Sequence, residues 1–246
     1  MKILVCISNV PDTTSKITFN NNNTEFNTNG VQYIINPYDE IALSKAVDLT
    51  SAGANGSITV ITVGDSSTEP TIRKALAIGA DNAIRINSTP EDAWFVANQI
   101  ADYAKDKGFD LILTGRESID YNGTQVAANL GELLNIPSVS IAKGIQIDAN
   151  QATIEREIEG GKEILTASLP IVIGAAEGVA EPKIPNMRGI MAARTKPLEV
   201  IEPTSSKPLT KIIAFDTPPS RGNVKLIDES NVNELVDLLH SEAKVI

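Results

Sequence analysis

The sequence has few of the residues on which most catalytic and metal sites depend. It contains one cysteine, Cys6, and one histidine, His240, among 246 residues. One cysteine excludes a disulfide or a cysteine-based zinc site within the chain. His240 lies in the terminal helix, where a solvated side chain is expected, so neither a hydrolytic triad nor a histidine-based metal site is expected. Cys6 lies in the apolar run "KILVCI", where a small buried core residue is expected. We therefore predict no metal site and no catalytic residue.

Aromatic residues and positive charges are also scarce. Aromatics make up only 4% of the chain, so its core is aliphatic, as is typical of parallel strands covered by helices on both faces. Lys and Arg number 21 against 31 Asp and Glu, a net charge of -10 without a basic stripe. We therefore expect no nucleic-acid partner. The sequence also lacks a long apolar run and a signal-peptide pattern, so we expect a cytoplasmic protein that does not insert into a membrane.

Strand and helix patterns alternate through the first two-thirds of the chain. Apolar runs typical of buried strands are "KILVCISNV", "SITVITVG", "NAIRIN" and "DLILTG". Helical patterns follow them in "NPYDEIALSKAVDLTSAG", "TEPTIRKALAIGA", "PEDAWFVANQIADYAKDKG" and "QVAANLGELL". Asn36 is expected to cap the first helix, and the tract "NNNN" before it to be a solvated hairpin loop. This order predicts an α/β fold, Rossmann-like, with a mostly parallel sheet.

The last third of the chain has a different sequence pattern. The segment "IPSVSIAKGIQIDANQATIEREIEGGKEILTASLPIVIGAA" alternates with period two, which predicts an antiparallel addition at the sheet edge and a return to a buried strand. A short helix is expected around "MRGIMAAR". One strand and a terminal amphipathic helix follow, with the apolar face Val232, Leu235, Leu238 and Leu239. We predict a nucleotide-binding α/β domain over 1–203 and an extended C-terminal arm over 204–246.

Four segments are expected at the carboxyl ends of the parallel strands, where open sheets bind ligands. They are residues 6–10, 36–39, 63–64 and 115–126. In the last segment, "DYNGTQVAANLGELL", free amides at a helix start would hold a phosphate without a cationic side chain. Because the loop has neither a catalytic lysine nor a glycine-rich fingerprint, the pattern favours holding a phosphate over cleaving one. Simple capping by Asn122 or Thr124 remains the alternative.

Six segments in this order resemble the beta subunit of electron-transfer flavoprotein: "MKILVCISNVPDT", "INPYDEIALSKAVDL", "TIRKALAIGAD", "DLILTGRESIDYNGTQVAANLGELLNIP", "IEREIEGGKE" and "EPKIPNMRGIMAARTKPLEV". The resemblance implies a heterodimer with an alpha subunit that holds the redox FAD. It implies AMP in the beta subunit's own site. Electrons would pass from flavin-dependent dehydrogenases, such as acyl-CoA dehydrogenases, to a membrane quinone reductase or another acceptor. The subunit itself would be a carrier, not an enzyme.

The resemblance also implies functional residues. Its nucleotide contacts fall on Cys6, Asn36, Pro37, Tyr38, Asp39, Val63, Gly115, Arg116, Glu117, Ser118, Ile119, Asp120, Tyr121, Asn122, Gly123, Thr124, Gln125 and Val126. Its recognition loop for dehydrogenases matches about 175–196, with Met187 as the apolar anchor. Glu157 matches a glutamate that pairs with an arginine of the alpha subunit. The arm would pack on that subunit.

Four alternatives stay open at this point. Electron-bifurcating members hold a second FAD in place of AMP and have "DGDTAQVG" where this chain has "DYNGTQVA". The bulk of Tyr121 favours AMP. A stand-alone adenine-nucleotide sensor of the universal-stress type would share the βαβ plan but needs no arm and no recognition loop. Met187 could instead be a core residue, and Glu157 a solvated strand residue.

Overall fold

The computed structural model describes residues 1–51, 56–220, 222 and 224–246. The strands are β1 (Lys2–Cys6), β2 (Asn9–Pro11), β3 (Phe19–Asn20), β4 (Glu25–Phe26), β5 (Tyr33–Ile35), β6 (Ser57–Val63), β7 (Asn82–Ile86), β8 (Leu111–Gly115), β9 (Ser138–Asp148), β10 (Gln151–Ile158), β11 (Gly161–Ser168), β12 (Ile171–Ala175) and β13 (Leu198–Ile201). The helices are α1 (Pro37–Ser51), α2 (Glu69–Ile78), α3 (Ala93–Ala104), α4 (Val126–Leu134), α5 (Met187–Ala193) and α6 (Val232–Leu238). The predicted end of the first helix, Ala52 and Gly53, lies outside the described residues.

Within those residues, nine strands form one sheet in the order β11-β10-β9-β12-β8-β1-β6-β7-β13. Seven of them, from β9 to β13 in that order, are parallel, and β10 and β11 extend the β9 edge antiparallel. The predicted α/β fold with an antiparallel edge addition is confirmed. Strand β1 lies between β6 and β8. Strands β6 and β7 extend the sheet on one side of β1, and β8, β12 and β9 extend it on the other.

Alternate residues of the central strands enter different cores, because side chains of a strand point to opposite faces. Ile3 and Val5 pack in a cluster that includes Leu43 of α1. Leu4 and Cys6 pack in a second cluster, which holds core residues of α3 and α4. Burial on both faces is the reason that these strands appear in the sequence as continuous apolar runs.

The first apolar run is two strands and not one. Strand β1 ends at Cys6, and β2 pairs antiparallel with β5 in a separate two-stranded sheet. The "NNNN" tract joins β3 to β4, as a hairpin loop in which Asn21, Asn22 and Asn23 all have left-handed φ of 50° to 63°. Asparagine tolerates that conformation better than most residues, which explains the composition of the tract.

The C-terminal third differs from prediction in two strands. Strand β13 pairs parallel with β7, although its Pro-rich surroundings gave no strand prediction. The strand predicted in the tail is absent from the described residues after Ile201. Helix α6 and a π-helical turn, Leu239–Ala243, form the terminal helix, and Val232 and Leu235 on its apolar face are exposed. No helix in the described ranges is long and apolar enough to cross a membrane.

Helix α5 and the residues after it are held to α2 by side-chain hydrogen bonds to main-chain carbonyl oxygens. Arg73 of α2 donates from its guanidinium to the carbonyl oxygens of Ala193 and Lys196, at 2.8 Å each. Lys196 donates back to the carbonyl oxygens of Leu76 and Ala80. Gly189 lets the two helices approach, because a Cβ there would collide with the carbonyl oxygen of Ala77. The position of α5 on the body is therefore fixed.

We predict that Gly189→Ala lowers the free energy of unfolding by about 1–3 kcal/mol, since a methyl group must be fitted against a rigid helix backbone. Gly161→Ala is the matched control, because nothing lies within 4 Å of a Cβ at that glycine. Urea unfolding of the full chain measures both. Equal stability of the two variants would mean that α5 shifts on α2 without cost.

Candidate functional site

The order β7-β6-β1-β8-β12 places a topological switch between β1 and β8. At such a point the loops after neighbouring strands diverge to opposite faces and leave a crevice at the carboxyl edge. Segment 6–10 follows β1, and segment 115–126 joins β8 to α4. Residues 36–39 begin α1, and Val63 ends β6 beside β1. The structure thus brings the four predicted segments to one edge, which we call the switch-point edge.

Asp39 joins two of these segments through main-chain amides. Its Oδ2 accepts a hydrogen bond from the Ser8 amide at 2.7 Å, and its Oδ1 accepts one from the Gly115 amide at 2.8 Å. Ser8 follows β1 and Gly115 ends β8, so one carboxylate spans the switch. Only 4% of Asp39 is exposed. Burial raises its pKa to about 7, although bonds from Asn36, Ser8 and Gly115 act in the opposite direction.

Asn36 joins α1 to the loop after β8. Its Nδ2 donates to the carbonyl oxygen of Glu117 at 2.8 Å, and its Oδ1 accepts from the Ile119 amide at 3.2 Å. The predicted role of this side chain as the cap of α1 is therefore wrong, because its oxygen accepts from the neighbouring loop and not from an amide of the first helical turn. The Asn36 carbonyl oxygen accepts from the amides of Asp39 and Glu40.

Gly115 is the point of closest approach between α1 and β8. A Cβ at this residue would collide with Oδ1 of Asp39 and would lie 2.7 Å from Cβ of Tyr38. The glycine is required here for space, since its φ is not in the left-handed region. A larger residue would have to push α1 away from the sheet and would break the Asp39 bond.

Arg116, which follows Gly115 at the end of β8, bonds to the neighbouring strand β12. Its amide donates to the carbonyl oxygen of Ala175 at 2.8 Å. Its guanidinium lies 3.2 Å from the Glu117 carboxylate and 5.1 Å from the centre of the Tyr38 ring. The bond to Glu117 raises the pKa of Arg116. Because Glu117 already compensates this positive charge, Arg116 is a weak candidate for a phosphate ligand.

Residues 118–123 form a closed turn. The Ser118 amide donates to the Gly123 carbonyl oxygen at 3.0 Å, and Asn122 has a left-handed φ of 54°. The Ser118 hydroxyl donates to the Asp120 carboxylate, which ties that charge to the turn. Tyr121 is 56% exposed and its ring lies against Gly123, where any Cβ would overlap it. The turn is thus held by its own side chains, with the Tyr121 ring over its last residue.

The start of α4 offers unpaired amides. Gln125 occupies the cap position, but its side chain makes no capping hydrogen bond. Neither Thr124 nor Asn122 caps the helix in its place, and Thr124 and Gln125 are exposed. The first amides of a helix have no partner within it, and they carry the positive end of the helix dipole. This arrangement can bind an anion without a cationic side chain.

Cys6 and Val63 line the base of the edge and not its surface. Both are buried and belong to the same apolar cluster under β1 and β6. Burial, and secondarily the charge of Asp39, raises the pKa of the Cys6 thiol well above its usual range. A neutral thiol is a poor nucleophile. In the described ranges, no group of three or more His, Cys, Asp or Glu side chains is placed to hold a metal ion.

The site also uses residues that sequence reasoning missed. Ser8 contributes its amide to Asp39, and Ala175 contributes its carbonyl oxygen to the Arg116 amide. Both contributions come from the main chain, so no residue type marks them in the sequence. Only the expectation that β1, β8 and β12 lie side by side could have indicated these residues.

Met187 and Glu157 lie on other elements. Met187 begins α5, which is capped by the Asn186 side chain, and is 73% exposed. Glu157 lies near the tip of the β10–β11 hairpin, where its carboxylate pairs with Lys143 at 3.1 Å. Neither residue contributes to the switch-point edge.

Comparison with known proteins gives the family. Residues 24–206 match the model of the electron transfer flavoprotein domain. The chain belongs to the electron transfer flavoprotein family. It is 36% identical to the electron transfer flavoprotein subunit beta of Bacillus subtilis, with all of both chains covered, and 33% identical to that of Syntrophomonas wolfei, with 100% and 98% covered. The human beta subunit is 32% identical over 90% of each chain.

These matches confirm the resemblance found in the sequence motifs. They span the chain at 30–36% identity and all carry the description of an electron transfer flavoprotein beta subunit. A beta subunit implies an alpha-subunit partner, so this chain is one component of an electron carrier. The stand-alone sensor alternative has no support from the family.

We predict that Asp39 makes the stability of the protein decrease as the pH rises from about 4 to about 7. The ordinary carboxyl pKa is 3.8 and the folded value is about 7, so the folded state binds more protons in this window. The free energy of unfolding then falls with rising pH, by at most about 1.4 kcal/mol per unit, and this contribution is constant above the window.

Urea unfolding across this pH range measures the effect. Asp39→Asn should lose the slope, whereas Asp102→Asn, an exposed carboxylate on α3, should keep it. Identical slopes in the wild type and in Asp39→Asn would show that the buried carboxyl does not titrate in this range.

Proposed function

We propose that this beta subunit holds AMP at the switch-point edge, helps to enclose the FAD of the alpha subunit and docks flavin-dependent dehydrogenases. The observation that carries the proposal is the uncapped start of α4, fixed beside the Asp39 bridge at the topological switch. Electrons would pass through the alpha-bound flavin to a membrane quinone reductase or another acceptor. We also propose a cytoplasmic location, although a rice relative is named as mitochondrial.

The residues present fit a nucleoside monophosphate. A phosphate would find donors at the first turn of α4, where Thr124 adds a hydroxyl and Gln125 an amide. No lysine or arginine is needed, which agrees with a chain of net charge -10. The Asp120 carboxylate would repel a phosphate, but the hydrogen bond from the Ser118 hydroxyl holds it in the turn. Asp120 is therefore better suited to contact a ribose hydroxyl or main-chain amides.

Tyr121 supports AMP over a second FAD. Its ring lies on Gly123 and covers the main chain immediately before the α4 amides. A dinucleotide must extend beyond its first phosphate, and this ring takes up part of the surface that such an extension would use. The second FAD of bifurcating members therefore remains the alternative and not the main proposal.

The subunit would act by position and not by bond chemistry. The buried Cys6 thiol is neutral, and both carboxylate oxygens of Asp39 are engaged by amides. FAD, when held by the alpha subunit, supplies the electron-transfer chemistry. This chain would contribute a wall of the flavin cleft, a rigid nucleotide-filled body and a docking surface.

Glu157 is proposed to pair with an arginine of the alpha subunit. Here its carboxylate pairs with Lys143 at 3.1 Å, and 66% of the Glu157 side chain is exposed. Exposed pairs of this kind contribute little stability, so an exchange of partners costs little. Lys143 would thus hold Glu157 when the alpha subunit's flavin domain has swung away, and release it when that domain returns.

Met187 is proposed as the anchor for dehydrogenases. It is 73% exposed at the first position of a helix that Arg73 and Lys196 fix to the body. Ile184 is 91% exposed three residues earlier. A flexible thioether on a rigid base suits an adaptable apolar contact. Its exposure argues against the core role that the sequence left open.

We predict that AMP stabilises the full chain, by about 2.7 kcal/mol at 100 times its dissociation constant, because it binds only the folded state. Gly115→Ala should remove this increment, since the added methyl group separates α1 from β8. Gly161→Ala, in the distant hairpin, should keep it. Thermal unfolding with and without AMP measures the difference.

Three outcomes decide between the proposals. Stabilisation by AMP but not by FAD supports the main proposal. Stabilisation by FAD alone, with two FAD extracted per heterodimer, supports the bifurcating alternative. If neither nucleotide stabilises the wild type, the switch-point edge does not hold an adenine nucleotide.

We predict that Met187→Ala weakens the reduction of the heterodimer by an acyl-CoA dehydrogenase about tenfold, as expected for a docking hot spot. The flavin spectrum should not change, because Met187 lies away from the switch-point edge. Val200→Ala is the control, an exposed apolar residue on β13 that lies outside the loop 175–196. A changed spectrum with unchanged reduction would assign Met187 a structural role instead.

A further inference from the structure

The segment that follows β13 runs along the body without forming a helix or strand, and it is bonded to the body at three places. The first is Gln99 of α3, which is 2% exposed. Its Oε1 accepts from the Thr204 amide at 2.8 Å, and its Nε2 donates to the Thr204 carbonyl oxygen at 3.0 Å. This two-way pairing is the kind that a neighbouring strand would make, so it fixes the backbone of Thr204.

The second place is Asp92, at the start of α3. Its Oδ1 accepts from the Phe95 amide at 2.7 Å and so caps the helix. Its Oδ2 accepts from the amides of Leu209 and Thr210 at 2.7 and 2.8 Å, and from the Thr210 hydroxyl at 3.1 Å. One carboxylate thus serves the helix and the tail at once. Hydrogen bonds to a charged acceptor are stronger than those between neutral groups.

The third place is the asparagine-rich hairpin. The Phe215 ring stacks on Phe19 of β3, with centres 4.8 Å apart and planes 8° apart, and Phe19 meets Phe26 of β4 edge to face. The Phe215 amide donates to the Asn23 carbonyl oxygen at 2.7 Å. The left-handed turn of the hairpin presents that carbonyl oxygen, so the "NNNN" tract is a docking point and not only a solvated loop.

Beyond Phe215 the pattern changes. In the described part of the tail, residues bond to near neighbours: Thr217 to Asp216, and Ser230 to Asp228. Lys225 pairs with Glu234 of α6 at 3.1 Å. These contacts hold the end of the tail to itself and do not hold it to the α/β body.

We propose that residues 204–215 are a strap fixed to the body by Gln99, Asp92 and Phe19, and that the free arm begins after Phe215. Asp92 and Phe19 are then positioning residues. Leu209, Ile212 and Ile213, exposed at 71%, 61% and 80%, form an ordered apolar ridge on this strap. Resting on the proposed function, we infer that the alpha subunit meets this ridge already ordered, which reduces the entropy lost on association.

Amide hydrogen exchange of the full chain, without nucleotide or partner, tests the strap. The amides of Leu209, Thr210 and Phe215 should exchange at least about tenfold more slowly than those of residues 224–228, because their bonds must open first. Exchange at equal rates in the two segments would overturn the proposal.

Asp92→Ser separates the two roles of Asp92. Serine is a good helix cap, so α3 amides should keep their protection, but its single hydroxyl cannot also serve the tail. Protection of Leu209 and Thr210 should fall about tenfold. Leu226→Ala, at an exposed residue beyond the strap, is the control and should change neither segment. Unchanged protection at Leu209 and Thr210 in Asp92→Ser would remove Asp92 from the strap.

Phe215→Ala tests the aromatic contact independently. It should release the Phe215 amide from Asn23, and Phe19→Ala should have the same effect. Protection of the Phe215 amide in the double variant should equal that in Phe19→Ala alone, since the stack of the two rings is already lost there. Additive effects would show that the two rings act separately and would contradict the stack.

Binding of the alpha subunit then tests the consequence. Asp92→Ser should slow association about tenfold while dissociation changes less, because the ordered ridge must first be rebuilt. If the strap is protected in exchange but Asp92→Ser does not change association, the strap contacts are supported and the role of the ridge in binding is rejected. Failure of the wild-type chain to bind the alpha subunit would instead count against the proposed function.

Discussion

The bridge from Asp39 to two main-chain amides is the interaction on which the site depends. It holds the ends of β1 and β8 together where the chain reverses its direction across the sheet. The two strands pair only as far as Val5 and Leu113, and the Asp39 carboxylate joins the residues beyond them. The bond also requires Gly115, since any side chain there would occupy the place of the carboxylate oxygen. A single buried acid thus sets the spacing of α1, β1 and β8 before any ligand binds.

The sequence predicts those parts of the fold that arise from local patterns. Helices α1 to α4 and strands β1, β6, β7, β8 and β12 have apolar patterns and flanking signals of their own, and they appear as expected. The break between β1 and β2 was not predicted, because a partner 31 residues away takes the Ser8 amide. Strand β13 was not predicted either, since its reason to form is the open edge of β7. Long-range pairing decides both cases.

The site was predictable to the level of segments and not of atoms. Strand order and helix starts indicate which loops meet, because carboxyl ends of parallel strands share an edge. They do not indicate that Asn36 serves Glu117 and Ile119 in place of its own helix. They also do not reveal the strap contacts, where Asp92 looks like an ordinary helix cap and the asparagine tract like an ordinary loop. A local sequence pattern does not show that a side chain has a second hydrogen-bonding partner far along the chain.

Backbone amides and buried acid together explain how an acidic chain suits an anionic ligand. Its charge of -10 gives no attraction at long range, so binding of the proposed phosphate would come from amides that folding has already aligned. A phosphate at α4 would bring negative charge towards Asp39, and like charges favour the protonated acid. Because the Asp39 pKa already lies at about 7, a small further rise would make the acid mostly neutral at physiological pH. Binding an anion at this edge would therefore be linked to the uptake of a proton, and the amides of Ser8 and Gly115 would then donate to a neutral acid, which is a weaker acceptor than a carboxylate.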